Sequence, residues 1–154
     1  MKRSSFNRPI ASVRLSEVRR GAAMVEMAVC FPVFMLMLLG IIEFGRGMMV
    51  AQLLTSAASE GCREAIIDGA TTADVRTSVV TLVTNTVGCT AADVNVAIVA
   101  TSVSNNTTLA DISDADQRDL IEIDVTVPFN AVSFTSGRFL VGQVLRGKCA
   151  MRKE

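Results

Sequence analysis

The sequence predicts an α+β protein in which a long N-terminal helix, transmembrane in its first half, packs on a small antiparallel sheet. Three observations predict this architecture. Residues 22–42 form an apolar run interrupted by a single acid, Glu26. Apolar residues then recur every three or four positions as far as residue 66, which is typical of an amphipathic helix. Beyond residue 93 the period becomes two, which is typical of half-buried strands.

The distribution of charge predicts how the chain is oriented in a membrane. The formal net charge is zero, yet residues 1–21 are strongly basic and the rest carries an excess of acidic side chains. A basic segment before an apolar run places the N-terminus on the cytoplasmic side. We therefore expect a single-pass protein of the cytoplasmic (inner) membrane, with a disordered basic leader at 1–21 and an extracytoplasmic, periplasmic body. Nucleic-acid binding is excluded, because the membrane separates the basic residues from that body.

The apolar run has the length of a membrane span. Residues 22–42 would extend about 31 Å as a helix, which matches the hydrocarbon core of a bilayer. Pro32 lies inside the run, where a membrane helix tolerates it with a kink. The run is too long for the apolar region of a secretory signal peptide, and no A-x-A cleavage site follows it, so it stays in the mature protein.

The helix is expected to continue outside the membrane over residues 43–69. Asp68-Gly69 would end it, since glycine is favoured at the end of a helix. We predict that this helix packs on the soluble body through an apolar stripe, with Arg46, Glu64 and the other polar residues on the opposite side. The members of the predicted stripe are Ile41, Phe44, Met48, Ala51, Thr55, Ala58, Cys62 and Ile66.

Residues 70–154 are expected to form a small α+β domain. A short helix from about Thr72 to Val87 would be capped by Thr71 or Thr72, carry Asp74 in its first turn and end at Gly88. Its apolar face would contain Val75, Val79, Leu82, Val83 and Thr86. Strands are predicted around 94–100, 121–127 and 141–151, and the polar segment 102–119 is predicted to be an exposed, mobile loop. Residues 129–139 read as a loop or short helix packed by Phe129, Phe134 and Phe139.

The junction before the apolar run predicts proteolytic processing. Arg19 and Arg20 precede Gly21, and Glu26 follows inside the run. A carboxylate near the centre of a bilayer costs about 2.5–3.5 kcal/mol, so a plain signal anchor has no use for Glu26. The pattern indicates a leader cut after Gly21, which would expose a new ammonium on Ala22 close to Glu26. The alternative is an acid that simply sits at headgroup depth.

Three blocks of the sequence resemble the TadE-like family of tight-adherence (Flp-type) pilus assembly systems. The first block begins at Arg20-Gly21 and runs through Glu26 to Pro32, the second is the membrane-exit motif Glu43-Phe44-Gly45-Arg46 with the three residues before it, and the third is Ala57 to Ala65. The family pattern often has an aromatic residue after the motif Glu, where this chain has Met27. Within the second block, Glu43 and Arg46 make an ordinary i,i+3 pair, and Gly40, Gly45 and Gly47 either permit close helix contact or add flexibility.

The resemblance implies a pilin-like fold and a structural function. It implies a minor pseudopilin that is processed by a prepilin peptidase and acts with other pilin or pseudopilin subunits and the pilus assembly machinery. Two other classes stay open from the residues alone. One is an uncleaved, signal-anchored envelope protein whose 70–154 domain is a binding module, and the other is a membrane-tethered enzyme.

The side-chain inventory argues against an enzyme and against a metal site. The chain has no His, which removes the usual base of a Ser or Cys triad, and no Gly-rich phosphate loop. We expect no cofactor and no metal, since C-x-x-C spacing is missing too and the acids at 111, 114, 116 and 119 lack the glycine and terminal Glu of a calcium loop. Cys62, Cys89 and Cys149 should lie in an oxidising compartment, where three single disulfides or none are open and Cys89–Cys149 is slightly preferred. Cys30 should pack as a small hydrophobe.

Overall fold

The computed structural model describes residues 12–105, 107–133, 140 and 142–153, and side chains from Gly21 onwards. It confirms the α+β fold, with a long N-terminal helix and a small antiparallel sheet. The helices are α1 (Ser12–Ala65) and α2 (Thr72–Val87), and the strands are β1 (Asn95–Thr101), β2 (Thr108–Leu109), β3 (Leu120–Pro128) and β4 (Val144–Arg152). The chain divides into two compact units, Met1–Ile41 and Ile42–Glu154. Each unit is described by itself below.

Helix α1 differs from its prediction at both ends. It begins at Ser12, so the segment from Ser12 to Gly21 is helical rather than disordered; residues 1–11 lie outside the described part of the chain. Between Pro9 and Gly21 the sequence contains neither Pro nor Gly, so nothing local stops the helix there. At the other end the regular helix finishes at Ala65, before Asp68-Gly69, and Gly69 has a positive φ of 86°.

The buried stripe of α1 in the second unit is not the predicted one. Ala58 and Cys62 are buried as expected, but Phe44 and Met48 are exposed. The residues that face the body are smaller or more polar, and they follow the helical period at shifted positions: Glu43, Gly47, Val50, Leu54, Ala57, Ala58, Gly61, Cys62 and Ala65. From Ala57 onwards the stripe consists of small residues, which let the helix approach its neighbours closely.

Helix α2 confirms its predicted bounds and caps. The Thr71 hydroxyl accepts a hydrogen bond from the backbone N–H of Asp74, and Gly88 ends the helix in the left-handed conformation. The predicted burial of Leu82 and Thr86 is wrong, since both are exposed and the buried residues follow a strict i,i+4 spacing. The abundant threonines fit in this helix because their hydroxyls donate to backbone carbonyls one turn earlier, as Thr81 does to Thr77.

The sheet has four antiparallel strands in the order β2-β1-β3-β4. Its inner face supplies much of the core, including the four fully buried side chains of Ile121, Ile123, Val125 and Val127. Its outer face carries charged pairs between β3 and β4: Arg146 binds Asp124 at 2.6 Å, and Lys148 binds Glu122. The strand β2 was not predicted, because two residues are too short to show a period.

Glycine allows α1 to cross β4 in direct backbone contact. A Cβ on Gly147 of β4 would lie 2.3 Å from the carbonyl carbon of Leu54 and 2.4 Å from the backbone nitrogen of Thr55. On the helix itself, a Cβ on Gly61 would lie 2.5 Å from Val79 and 3.2 Å from Ile123. Both glycines therefore mark places where α1 approaches its neighbours more closely than any side chain permits.

The segment 102–119 is not the fully exposed loop that its composition predicts. Ile112, Ala115 and Asp119 are buried. A short 3₁₀ turn, Ile112–Asp114, carries Ile112 into the core, and Asp111 caps this turn by accepting a hydrogen bond from Ser113. The segment is thus fastened to the body by its own apolar residues and by its aspartates.

Candidate functional site

The predicted cleavage junction lies in an exposed stretch of helix. Gly21, Ala22 and Glu26 are all exposed, as is every other residue from 21 to 34, and a Cβ on Gly21 would meet nothing within 4 Å in the part of the chain that the structure describes. Large apolar side chains share this exposure, with Met24 at 77% and Met27 at 65%. Such a surface is unstable in water and suits lipid or neighbouring helices. The helix is long and apolar enough to cross a membrane once.

The four residues of the membrane-exit motif have different surroundings: one is buried, two are exposed, and the arginine connects two other segments. Phe44 and Gly45 are exposed, whereas Glu43 is only 2% exposed. The hydroxyl of Ser133 donates to one carboxylate oxygen of Glu43 at 2.7 Å, and the other oxygen is buried with no hydrogen-bond partner among the residues that the structure describes. Burying a carboxylate costs free energy unless its oxygens are hydrogen-bonded, so the bond from Ser133 helps to hold Glu43 in place.

Arg46 connects three parts of the second unit. Its Nε donates to the carbonyl of Val132 at 3.3 Å, and a terminal nitrogen donates to the carbonyl of Val87 at 3.1 Å. The two carbonyls belong to the end of α2 and to the turn that follows β3. Arg46 therefore fixes both segments against α1, and the i,i+3 pair with Glu43 remains a prediction.

The cysteines occupy very different surroundings. Cys30 is exposed on α1, Cys62 and Cys89 are buried, Cys149 is half-buried, and all four are free thiols. Burial raises the pKa of Cys62 to about 12, and a hydrogen bond with the Cys149 thiol adds to this effect. Burial also raises the pKa of Cys89. Neither Cys62 nor Cys89 is thus a ready nucleophile at neutral pH.

The aspartates of segment 102–119 serve the fold. Asp119 accepts hydrogen bonds from the backbone N–H groups of Val103 and Asp116, both at 2.9 Å, and these bonds hold its pKa below the ordinary value. Asp111 accepts from the backbone of Ser113 and Thr72, which lowers its pKa as well. In the described part of the chain, no group of three or more acidic, Cys or His side chains could hold a metal ion.

Sequence reasoning missed two residues that organise the body. Lys153 is buried, and its ammonium donates to the carbonyl of Ala115 at 2.9 Å. Its backbone N–H donates to the carbonyl of Asp119, so the end of the chain holds segment 102–119 in place. Nothing in the sequence distinguishes Lys153 from an exposed basic residue near the C-terminus. Gly147 did carry a signal, because an isolated glycine inside a strand pattern often marks a close backbone approach.

Comparison with known proteins finds a similarity in the N-terminal segment. The model of the TadE-like protein family matches residues 21–63, a range that contains the junction at Gly21, Glu26, the membrane-exit motif and Cys62. The search of curated proteins gave no match, and neither did the search of solved structures. The match covers residues 21–63 alone, and it confirms the resemblance predicted from this part of the sequence.

Proposed function

We propose that the chain is a TadE-like minor pseudopilin that acts in the assembly or secretion of an adhesive Flp-type pilus and is cut by a prepilin peptidase after Gly21. The match of residues 21–63 to this pilus-associated family carries the proposal. The exposure of every residue from 21 to 34 supports it, because this stretch is free to meet lipid, the peptidase and neighbouring helices.

Processing requires access to the peptide bond between Gly21 and Ala22. The basic residues upstream hold the junction at the anionic cytoplasmic surface of the membrane. Gly21 offers no side chain to obstruct the peptidase, and a Cβ there would meet nothing within 4 Å. Because glycine within a helix costs about 1 kcal/mol relative to alanine, Gly21 also lowers the cost of opening the helix locally for cleavage.

Cleavage gives Glu26 its partner. The new ammonium on Ala22 lies one helical turn from Glu26 in the same chain, and it can equally pair with Glu26 of a neighbouring subunit. In a low-dielectric bundle of helices this attraction offsets the cost of placing the acid there. Pairing between subunits favours helices docked in one register, which gives Glu26 a function in assembly.

The second unit supplies the body that other subunits and the assembly machinery meet. It lies on the extracytoplasmic side in this proposal. Within this unit, Arg46 and the buried Glu43 fasten α1 to the end of α2 and to the turn after β3. The protein then acts by insertion, cleavage and helix association, with no catalytic step of its own.

The decisive experiment measures the N-terminus and intact mass of the protein purified from its native membrane. We expect a chain that begins at Ala22. The variant Gly21→Leu should retain residues 1–21 and lose pilus assembly. Gly40→Leu is the matched control, since a Cβ at Gly40 also meets nothing within 4 Å, and it should be processed normally. Retention of the leader by the unaltered protein in cells with an active prepilin peptidase would refute the proposal and favour the uncleaved binding module.

A further inference from the structure

The fold brings two cysteines together from distant parts of the chain. Cys62 lies in the last turns of α1 and is fully buried, and Cys149 lies in β4. We propose that Cys62 and Cys149 form a disulfide bond that fastens α1 covalently to the sheet. The bond is a modification of the extracytoplasmic body, so its formation in the cell rests on the orientation given under the proposed function.

The pairing of β3 with β4 and the packing of α1 on β3 bring Cys62 and Cys149 to the inner face of the sheet. Cys149 is the Cα partner of Ile123 in the pairing of β3 with β4. A Cβ on Gly61, the chain neighbour of Cys62, would lie 3.2 Å from the Ile123 side chain. Beyond the effect of burial, the Cys149 thiol raises the pKa of the Cys62 thiol. Both residues belong to or pack on the same apolar core.

Cys89 lies toward a different part of the body. Cys89 stands two residues after the end of α2 at Val87, and the carbonyl of Val87 accepts a hydrogen bond from Arg46 of α1. On α1, Arg46 precedes Cys62 by about 24 Å of helix. Cys149 also lies two strands away from β1, which Cys89 precedes. A disulfide requires Cα atoms within about 7 Å, so the fold favours Cys62 over Cys89 as the partner of Cys149.

The bond forms by thiol–disulfide exchange with an external disulfide, carried by a protein or by a small molecule such as oxidised glutathione. One thiolate attacks the external disulfide and releases one of its sulfurs as a thiol. The second cysteine then attacks the mixed disulfide and releases the other. The two cysteine sulfurs are oxidised, the external disulfide is reduced to two thiols, and the two protons go to those thiols.

The surroundings of the two sulfurs set when this exchange occurs. In the folded protein Cys62 is fully buried and Cys149 is half-buried, so Cys149 is the accessible thiol. A buried thiol reacts slowly, and we therefore expect oxidation during folding, before α1 closes over the sheet. Once formed, the bond lies in the core and should resist reductant until the body unfolds.

The test maps the disulfide in the full-length protein. Protein from native membranes is alkylated without reduction, digested and analysed by mass spectrometry. We expect a linked peptide that contains Cys62 and Cys149, with Cys89 alkylated. Protein that is unfolded, reduced and refolded in the presence of reductant should have a Tm lower by on the order of 10 °C, since a disulfide that closes a long loop stabilises strongly. Cys62→Ala and Cys149→Ala should each abolish this dependence on reductant, and the control Cys89→Ala should keep it.

A second experiment tests whether the two thiols pair outside the cell, independently of the compartment in which the protein lies. The purified protein is reduced, unfolded in urea and refolded with oxidised glutathione. A Cys62–Cys149 link in both experiments supports the proposal. A link to Cys89, or free thiols at 62 and 149 in both experiments, overturns it. A link formed only in vitro overturns the bond in the cell together with the extracytoplasmic orientation, while leaving the contact between the two thiols intact.

Discussion

Gly147→Ala should destabilise the body more than any other single added methyl group at a described glycine. The new Cβ would lie 2.3 Å from the carbonyl carbon of Leu54, 2.4 Å from the backbone nitrogen of Thr55 and 2.5 Å from the carbonyl oxygen of Leu54. All three atoms belong to the backbone of α1, so no side-chain rotation relieves the overlap. The helix or the strand has to move.

The size of the required movement sets the cost. Carbon atoms pack at about 3.5–4.0 Å, so α1 and β4 must separate by about 1.2 Å or more at this point. Separation opens a gap around Val50 and Leu54, both of which are fully buried. Overpacking of a core costs about 1–3 kcal/mol, and the backbone contact places this variant at about 3 kcal/mol. For a body of this size that corresponds to a fall in Tm of roughly 12 °C or more.

The assay is thermal unfolding of the full-length protein in detergent, followed by circular dichroism. The matched control is Gly45→Ala on α1, where a Cβ meets nothing within 4 Å. Because alanine is favoured over glycine in a helix by about 1 kcal/mol, this control should leave the Tm unchanged or raise it. A Gly147→Ala protein with the Tm of the unaltered protein would show that α1 does not cross β4 in backbone contact.

Three further predictions concern charge. Glu26→Gln should be processed normally yet lower the amount of assembled pilus about tenfold, because it removes the charge that pairs with the Ala22 ammonium; normal piliation would contradict the proposed function of this acid. Arg46→Met should lower the free energy of unfolding by about 2 kcal/mol through loss of its bonds to Val87 and Val132, whereas the exposed Arg63→Met should have little effect in the same urea titration. The lowered pKa of Asp119 means that its contribution to stability is present above the ordinary pKa of about 3.9 and is lost as the pH falls through the folded-state value. Asp119→Asn should therefore lower the Tm at pH 7 and flatten its dependence on pH between about 5 and 2, and an unchanged pH profile would contradict this account.

The elements that could be predicted from the sequence are those with local signals. The bounds of α2 follow from Thr71, Asp74 and Gly88, whose cap geometry depends on neighbours in the chain. The strands β1 and β3 follow from an alternation that holds over seven and nine residues. The family resemblance at 21–63 likewise rests on contiguous residues.

The features that could not be predicted depend on partners far along the chain. In the sequence, Asp119 is one of several acids in a polar loop. Only the structure shows that the backbone N–H of Val103 donates a hydrogen bond to it. In the sequence, Lys153 belongs to a basic C-terminal stretch. Only the structure shows that its ammonium donates a hydrogen bond to the carbonyl of Ala115. The proposed pairing of Cys149 with Cys62 depends on how α1 packs on the sheet, which the spacing of the cysteines in the sequence does not determine.

The misplaced stripe of α1 has a different cause, and it bears on where the membrane ends. An amphipathic helix in water buries its large apolar residues and exposes its charges. Between 42 and 49 the order is reversed: Glu43 is 2% exposed, whereas Phe44 is 57% and Met48 71% exposed. Lipid reverses the preference in this way, because a charge must find its partner inside the protein while large apolar side chains face outward at no cost. The reversal ends at Val50 and Leu54, which are fully buried. We therefore propose that the lipid-facing part of α1 extends beyond Ile42, at least to Met49.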